Sequence, residues 1–367
     1  MIRTVAIEGY RSLRDVVVGL ERLTVVTGAN GSGKTSFYRA LRLLADLARE
    51  GAISTLAQEG GMRSALHAGP RDGSPVAMRL GFASDELSYA IDLGLPQLGP
   101  FHLDPEVKVE AVWSGPVLRP ATLVAERRGP LVRTRGDDGD WRTARWQLAA
   151  HESLMGALSD PTETPELYAI REQARRWRFY DHLRTDPEAG SRRPGVATYT
   201  PVLAADGDDL AAALLTVERV GVADVLGATV ADAFDGSRLE LVEDGDGVCR
   251  LLLHQPGLRR PLGARELSDG TLRYLLLAAA LLSPRPPGLL VLNEPEASLH
   301  PSLMPALAAL VVDAAERSQV VVVTHSGPLV RALSEHAGLL ELERAGGTTS
   351  VAGQGRLEGP PWSWPRR

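Results

Sequence analysis

Cysteine is all but missing: Cys249 is the single thiol in 367 residues, so no internal disulfide can form and no multi-cysteine metal cluster can assemble. A buried structural thiol in a reducing compartment is the expected role. Long apolar runs are missing too. The longest, Leu272 to Leu282, is interrupted by Arg273 and Tyr274 and is too short to span a bilayer. The opening residues Met1-Ile2-Arg3-Thr4 carry no secretory apolar core, and a soluble, cytoplasmic protein without membrane contact is expected. Nor is there an excess of positive charge: 46 acidic residues against 40 basic ones leave a net charge of −6. No global field draws the chain to nucleic acid or an anionic surface, and any such contact would have to be local. The 37 glycines and 25 prolines mark a turn-rich globular chain below the range of low-complexity sequences.

Two further scarcities point somewhere. Lysine occurs only as Lys34 and Lys108, among thirty-eight arginines, and asparagine only as Asn30 and Asn293. Three of these four rare residues fall in stretches that suit nucleotide chemistry.

The chain begins with strand-like runs at Thr4 to Ile7, Val16 to Val18 and Leu23 to Thr27. Gly28-Ala29-Asn30-Gly31-Ser32-Gly33-Lys34-Thr35 follows, and then Phe37, Ala40, Leu41, Leu44 and Ala48 recur on one face of a 3.6-residue period. Strand, glycine loop and helix in this order make a P-loop. Backbone N–H groups can curl around a phosphate, the helix N-terminus favours the anion, Lys34 reaches the β- and γ-phosphates, and the Thr35 hydroxyl is placed for Mg²⁺.

Far downstream, Gly288 to Leu292 is a continuous apolar run ending in Asn293-Glu294-Pro295-Glu296, as a buried parallel strand delivers polar residues at its carboxyl end. A helix carrying Leu303, Ala306, Leu307, Leu310 and Val311 on one face leads to a second buried strand, Val320 to Val323, which ends in Thr324-His325-Ser326. The unit is βαβ. Solvated charge suffices to explain Glu296 and His300, but not Glu294 and His325 directly after buried strands. Leu267-Ser268-Asp269-Gly270-Thr271 precedes a nearly all-apolar helix; alone it reads as a helix cap, while beside a P-loop it reads as a γ-phosphate contact.

Taken together these motifs resemble the ABC-type ATPase heads of the SMC/RecF/OLD group, and within it the stand-alone bacterial AAA-family ATPases. The resemblance covers Met1 to about Leu56 and Arg238 to about Val351. It implies an α/β P-loop NTPase head with ATP as substrate and Mg²⁺ as cofactor. ATP would be bound by Arg11, Asn30, Gly31, Ser32, Gly33, Lys34, Thr35 and Ser36. Glu294 would be the general base, His325 the switch histidine and Lys34 a catalytic cation. Ser268, Asp269 and Gly270 would bind the ATP of a second protomer in an ATP-dependent homodimer, with Ala297 to His300 crossing the interface. Thr35, and Asn293 through water, would hold the metal. Asn293 stands where the group commonly has an acidic residue, so metal affinity is expected to be reduced. The Q-loop glutamine stays unassigned among Gln58, Gln97 and Gln147. DNA and a separately encoded effector or nuclease both stay open as partners, in DNA maintenance or phage defence.

The resemblance divides the chain into a discontinuous head, 1–59 and 237–351, a compact mixed α/β lobe inserted at 60–236, and a flexible tail at 352–367. Recurring prolines and the lack of heptads exclude a long coiled-coil arm. Within the lobe, strands are expected at Val76 to Leu80, Leu87 to Leu93 and Val107 to Trp113, a hairpin at Asp137 to Asp140, and helices at Glu152 to Leu158 and Pro165 to Leu183. The last would interleave Arg171, Arg175, Arg176 and Arg178 with Trp177, Phe179 and Tyr180, which suits base stacking. Yet fourteen arginines face twelve acids between Arg119 and Arg193, so a solvated amphipathic helix fits equally. A last strand is expected at Leu339 to Leu342, and the short stretch after His325 is not expected to hold the nuclease domain that OLD-type proteins carry there.

Overall fold

The computed structural model describes residues 1–69, 77–96, 101–136, 138–144, 147–157, 160–220, 223–355 and 358–367. Val76, Gln97, Pro100, Asp137 and Leu158 lie outside them. The chain forms two compact units, one of residues 1–21, 26–177 and 339–367, the other of 22–25 and 178–338.

The elements up to the first crossing are β1 (Ile2–Tyr10), β2 (Leu13–Gly19), β3 (Leu23–Thr27), α1 (Lys34–Arg49), α2 (Ala52–Gln58), α3 (Met62–Ala65), β4 (Met78–Ser84), β5 (Leu87–Gly94), β6 (Glu106–Ser114), β7 (Leu123–Arg128), β8 (Leu131–Arg135), β9 (Trp141–Thr143), α4 (Leu154–Ala157) and α5 (Pro165–Arg175). In the first unit an antiparallel sheet runs β2-β1-β4-β5-β6-β7-β8-β9. The β1–β2 hairpin takes only one edge of β1; the other pairs with β4, Val5 opposite Phe82 and Ile7 opposite Leu80. The expected strands of the middle segment therefore continue the N-terminal sheet instead of building a lobe of their own. α1 buries Phe37, Ala40, Leu41, Leu44 and Ala48, the face its periodicity marks.

The second unit holds β10 (Arg178–Tyr180), β11 (Gly195–Val196), α6 (Leu210–Val220), α7 (Ala223–Ala233), β12 (Arg238–Glu243), β13 (Val248–His254), β14 (Leu262–Gly263), α8 (Asp269–Leu281), β15 (Leu289–Asn293), α9 (Met304–Arg317), β16 (Gln319–Val323) and α10 (Gly327–Leu333). β10, β15 and β16 are parallel neighbours, with Phe179 opposite Val291 and Val291 opposite Val321. The start of β3 joins beyond β16, where the Val320 N–H donates to the Arg22 carbonyl at 2.8 Å. Leu290, Leu292, Val320 and Val322 bury against α8 and α9 residues such as Leu275, Leu276, Leu307 and Val311. A small antiparallel sheet of β11, β13, β12 and β14 holds Cys249, buried with its thiol pushed up by desolvation.

Two expectations for the middle fail here. The helix begun at Pro165 stops at Arg175, and Arg178 to Tyr180 form β10, whose parallel pairing with β15 draws the segment after Trp177 into the second unit. Trp177, Phe179 and Tyr180 are buried, so no helix face interleaves them with arginines. The segment 60–236 is accordingly split between the units.

The first unit closes with β17 (Gly338–Ala345) and β18 (Thr348–Val351), an antiparallel hairpin, and then with the segment expected to be flexible. It is docked. The Trp362 ring meets Trp113 edge-on at 5.7 Å and Trp364 at 5.1 Å, over a trough of Ala83, Ala90 and Ala111. The Arg367 guanidinium donates to both oxygens of buried Asp92, at 2.7 and 2.8 Å. Among the described residues no helix is long and apolar enough to cross a membrane.

The trough exists because Gly81 has no side chain: a Cβ there would lie 2.6 Å from the Trp362 ring and 2.8 Å from the Tyr89 carbonyl. Gly81→Ala should therefore destabilise the first unit by about 1–3 kcal/mol, measured as a lower urea midpoint with tryptophan emission shifted to the red.

Candidate functional site

In the first unit the glycine loop leaves β3 and enters α1 as the sequence predicts. Gly33 caps the helix at φ 110° without a side-chain bond, and a Cβ on it would strike the Thr349 hydroxyl, so both conformation and space demand glycine. Lys34 is buried, and its ammonium donates to the Gly28 and Ala29 carbonyls at 2.7 and 3.0 Å, folded across the loop. Asn30, Gly31 and Thr35 are exposed, and Ser36 is half-buried. The Ser32 hydroxyl is buried with no hydrogen-bond partner, an acceptor-seeking group at the centre of the loop.

Sequence reading missed what holds this loop. The Thr349 hydroxyl on β18 donates to the Ser32 carbonyl at 2.8 Å, with the Ser12 hydroxyl 2.9 Å away, and Ser12 in turn lies 3.4 Å from the Ser36 hydroxyl. Nothing in the local sequence near Thr349 signals this, because the contact spans more than 300 residues. Arg11, on the β1–β2 turn, is tied to Glu59 at 3.0 Å and to the Tyr10 hydroxyl at 3.2 Å, while burial and then the Glu59 carboxylate push the Tyr10 phenol up.

In the second unit the polar residues gather at the carboxyl ends of the parallel strands, as the sheet's topology favours. Asn293 ends β15 and donates from Nδ2 to Asp181 Oδ1 at 2.7 Å. Glu294 follows with a left-handed backbone, φ 46°, and a half-buried carboxylate whose Oε1 is 3.4 Å from His325 Nδ1. Glu296 is not a solvated charge. It is buried, and its Oε1 accepts from the Thr324 hydroxyl at 2.5 Å and from the N–H groups of His325 and Ser326 at 3.3 and 3.2 Å, fixing the turn after β16. Its Oε2 is buried without a partner. His300 is exposed and accepts from the Ser302 N–H at 3.2 Å, a local cap.

Asp181 was hidden inside an expected helix. Its signal was the one that reveals Glu294, an acid directly after a buried apolar strand. Of the Q-loop candidates, Gln58 ends α2 and Gln147 lies outside any element, so neither follows a parallel strand; Asp181 occupies that position next to β15.

Ser268 is the N-cap of α8, its hydroxyl accepting the Thr271 N–H at 3.1 Å. Asp269 is bound by buried Arg192 at 2.6 Å. Gly270 admits a close neighbour, since a Cβ would meet the Ser298 carbonyl at 2.8 Å, and Ser298 is itself left-handed at φ 65°. One turn on, buried Arg273 donates to the carbonyls of Leu183 at 3.0 Å, Glu294 at 3.3 Å and Asp181 at 3.4 Å. Burial pushes its guanidinium below the ordinary arginine value, against the pull of Asp181 and Glu296. Four non-glycine residues among those described have positive φ, and Arg11, Glu294 and Ser298 are three of them; backbone strain collects at the motif segments.

Among the described residues no group of three or more His, Cys, Asp or Glu could hold a metal ion. Within the first unit the Thr35 hydroxyl, and within the second the Asn293 amide and its carboxylate neighbours, are oxygen donors of the hard kind that Mg²⁺ takes. In the first unit the Ser32 hydroxyl, and in the second Glu296 Oε2, are buried polar atoms with no hydrogen-bond partner.

Comparisons agree with this layout. Residues 1–62 match an AAA ATPase domain, and residues 155–332 match the family described as AAA domain, putative AbiEii toxin, Type IV TA system. No curated protein matches by sequence. Among solved structures the chain is similar to the SmcHead bound to the C-winged helix domain of ScpA, with 14% identity, a TM-score of 0.54, and 96% of each chain covered. It is also similar to the Smc head domain with an extended coiled coil bound to the C-terminal domain of ScpA derived from Pyrococcus furiosus, with 13% identity, a TM-score of 0.52, and 96% of this chain and 95% of that one covered. The fold is that of the SMC head domains, mixed α/β with a P-loop, and both family matches are to AAA ATPase domains.

Proposed function

We propose that the protein is an ATP hydrolase that turns over slowly and works as an ATP-dependent pair of heads. The observation that supports this most is Glu294: a half-buried carboxylate on strained backbone at the end of a buried strand, with His325 within reach. In the proposed reaction Glu294 takes a proton from water as the water oxygen bonds to the γ-phosphorus, and the bond to the β-phosphate oxygen breaks to leave ADP and phosphate. Lys34 would turn from the loop carbonyls to the β- and γ-phosphates, and the N–H groups at the start of α1 would accept the anion. Mg²⁺, held by Thr35 and through water by Asn293, would supply charge neutralisation. His325, whose ring nitrogen faces both Glu294 and Glu296, would report the state of the γ-phosphate to the base.

Ser268, Asp269 and Gly270 would engage the ATP of a second copy. The cap bond of Ser268 does not oppose this role, because a helix N-terminus with spare N–H groups is an anion site in either case. For the output, a protein effector gains over DNA: the arginine and aromatic side chains that would have formed a stacking helix are separated by the end of α5 and the start of β10. The toxin–antitoxin wording of the matched family favours a role in defence. ATPase stimulation by DNA, falling steeply with salt, would instead favour DNA maintenance.

Glu294→Gln should lower kcat by about 10²–10⁴, or roughly 3–5 kcal/mol of barrier, while ATP stays bound and dimers accumulate. Unchanged turnover would remove Glu294 as the base. Lys34→Ala should lose nucleotide binding with the circular dichroism spectrum retained; wild-type affinity would remove the P-loop assignment.

The paired arrangement has its own test. Specific activity at saturating ATP should rise with protein concentration, and Ser268→Arg should abolish that rise without preventing ATP binding. Mixed with Lys34→Ala protein, Ser268→Arg protein should regain some turnover, since one intact P-loop and one intact serine motif then meet. Activity independent of concentration, with no rescue on mixing, would leave a self-sufficient head.

A further inference from the structure

The geometry points to Asp181 as the acid that serves the nucleotide's divalent cation in place of the one missing at position 293: it orients Asn293 and supplies the negative charge that Asn293 lacks. This rests on the ATPase reading and deepens it.

The parallel register carries the first step. Tyr180 lies opposite Leu292, so the next residues, Asp181 and Asn293, come level where the two strands end. Their side chains meet at 2.7 Å, Nδ2 to Oδ1. An ionised carboxylate only accepts, so the amide must present its NH₂ edge to Asp181. The amide oxygen then faces away, and among the described residues no donor claims it. Asp181 thus selects the one rotation of Asn293 that exposes an oxygen to a cation's water shell. Had Asn293 been left unpartnered, both rotations would be open.

Charge carries the second step. An amide oxygen offers a dipole, whereas a carboxylate one hydrogen bond behind it offers a full negative charge at a distance where a divalent cation still feels it. Two side chains flank Asp181. Arg273 is buried beside it, donating to the Asp181 carbonyl at 3.4 Å, and the exposed His182 ring approaches Oδ2 at 3.2 Å. Glu296, the nearest buried carboxylate on the same sheet edge, is already committed through Oε1 to the turn after β16. The acids at the strand ends that are not committed to a buried turn are therefore Glu294, whose part is the proton, and Asp181.

Asp181→Asn removes the charge but keeps an acceptor for the Asn293 amide. Asn293→Asp alone would set two carboxylates against each other. The double exchange, Asp181→Asn with Asn293→Asp, restores one carboxylate and one amide facing each other in reversed order. The measurement is Mn²⁺ affinity by electron paramagnetic resonance in the presence of a non-hydrolysable ATP analogue, together with metal-free affinity for the same analogue. Asp181→Asn should weaken Mn²⁺ by about tenfold or more with metal-free analogue binding unchanged, and the double exchange should recover most of the loss. Wild-type Mn²⁺ affinity in Asp181→Asn, or a loss that the double exchange fails to recover, would overturn the role of Asp181 and leave it as a structural partner of Asn293. If the wild-type protein bound no analogue at all, the ATPase reading itself would fall.

Discussion

Parallel pairing of three short strands governs the chemistry of the second unit. β10, β15 and β16 are buried but for Arg178 and Asn293 at their ends, and a buried parallel strand can carry ionisable groups only where it ends. The register then decides which groups meet. Asp181 faces Asn293, and Glu294 is level with Thr324, the residue after Val323. A slip of one residue would break the Asp181–Asn293 bond and point each strand's last side chain to the opposite face. The apolar valines and leucines of these strands therefore do more than fill a core; their register sets the positions of four polar residues at the strand ends.

The first unit solves a different problem, holding a strained loop still. The glycine loop makes few bonds of its own, and its rigidity comes from hydroxyls at a distance: Thr349 on the Ser32 carbonyl, Ser12 between Thr349 and Ser36. Small hydroxyl side chains suit this because they approach closely without filling the space an anion needs. Gly33 completes the arrangement by leaving room for Thr349. Each bond contributes only about 1 kcal/mol, yet together they restrict a segment whose conformation would otherwise be costly to order.

Much of this was legible from sequence where signal is local. β3, α1, β15, α9 and β16 are where periodicity and apolar runs place them, and Ser268 caps the helix it precedes. Illegible parts depend on distant partners. The pairing of β1 with β4 turns a supposed lobe into an extended sheet, and nothing in either strand names the other. The stretch from Arg171 to Tyr180 shows arginines and aromatics at helical spacing, but β10 exists because β15 offers a free edge. That edge overrides local propensity and brings Asp181 out of an expected helix. The tail resembles a disordered end by its glycine and proline content, yet two indoles find a trough lined with alanine. Glu296 shows the same limit at the site: its charge is visible in the sequence, and its burial beneath Thr324 is not.

Strain and close contact also link the serine motif to the base within the second unit. The Ser298 carbonyl lies against Gly270 on the first turn of α8, and Arg273 on the next turn holds the carbonyl of Glu294. Both Glu294 and Ser298 are held in left-handed backbone, at a cost of order 1–3 kcal/mol each. A displacement at the N-terminus of α8 must then either compress the 297–299 segment or pull on the backbone of Glu294, since packed elements shift between discrete arrangements and do not deform smoothly. Arg273 matters here because its guanidinium is too deeply buried to exchange its three carbonyls for water. The residue that carries the proposed proton transfer and the residue that caps α8 are therefore linked through the same packed segment.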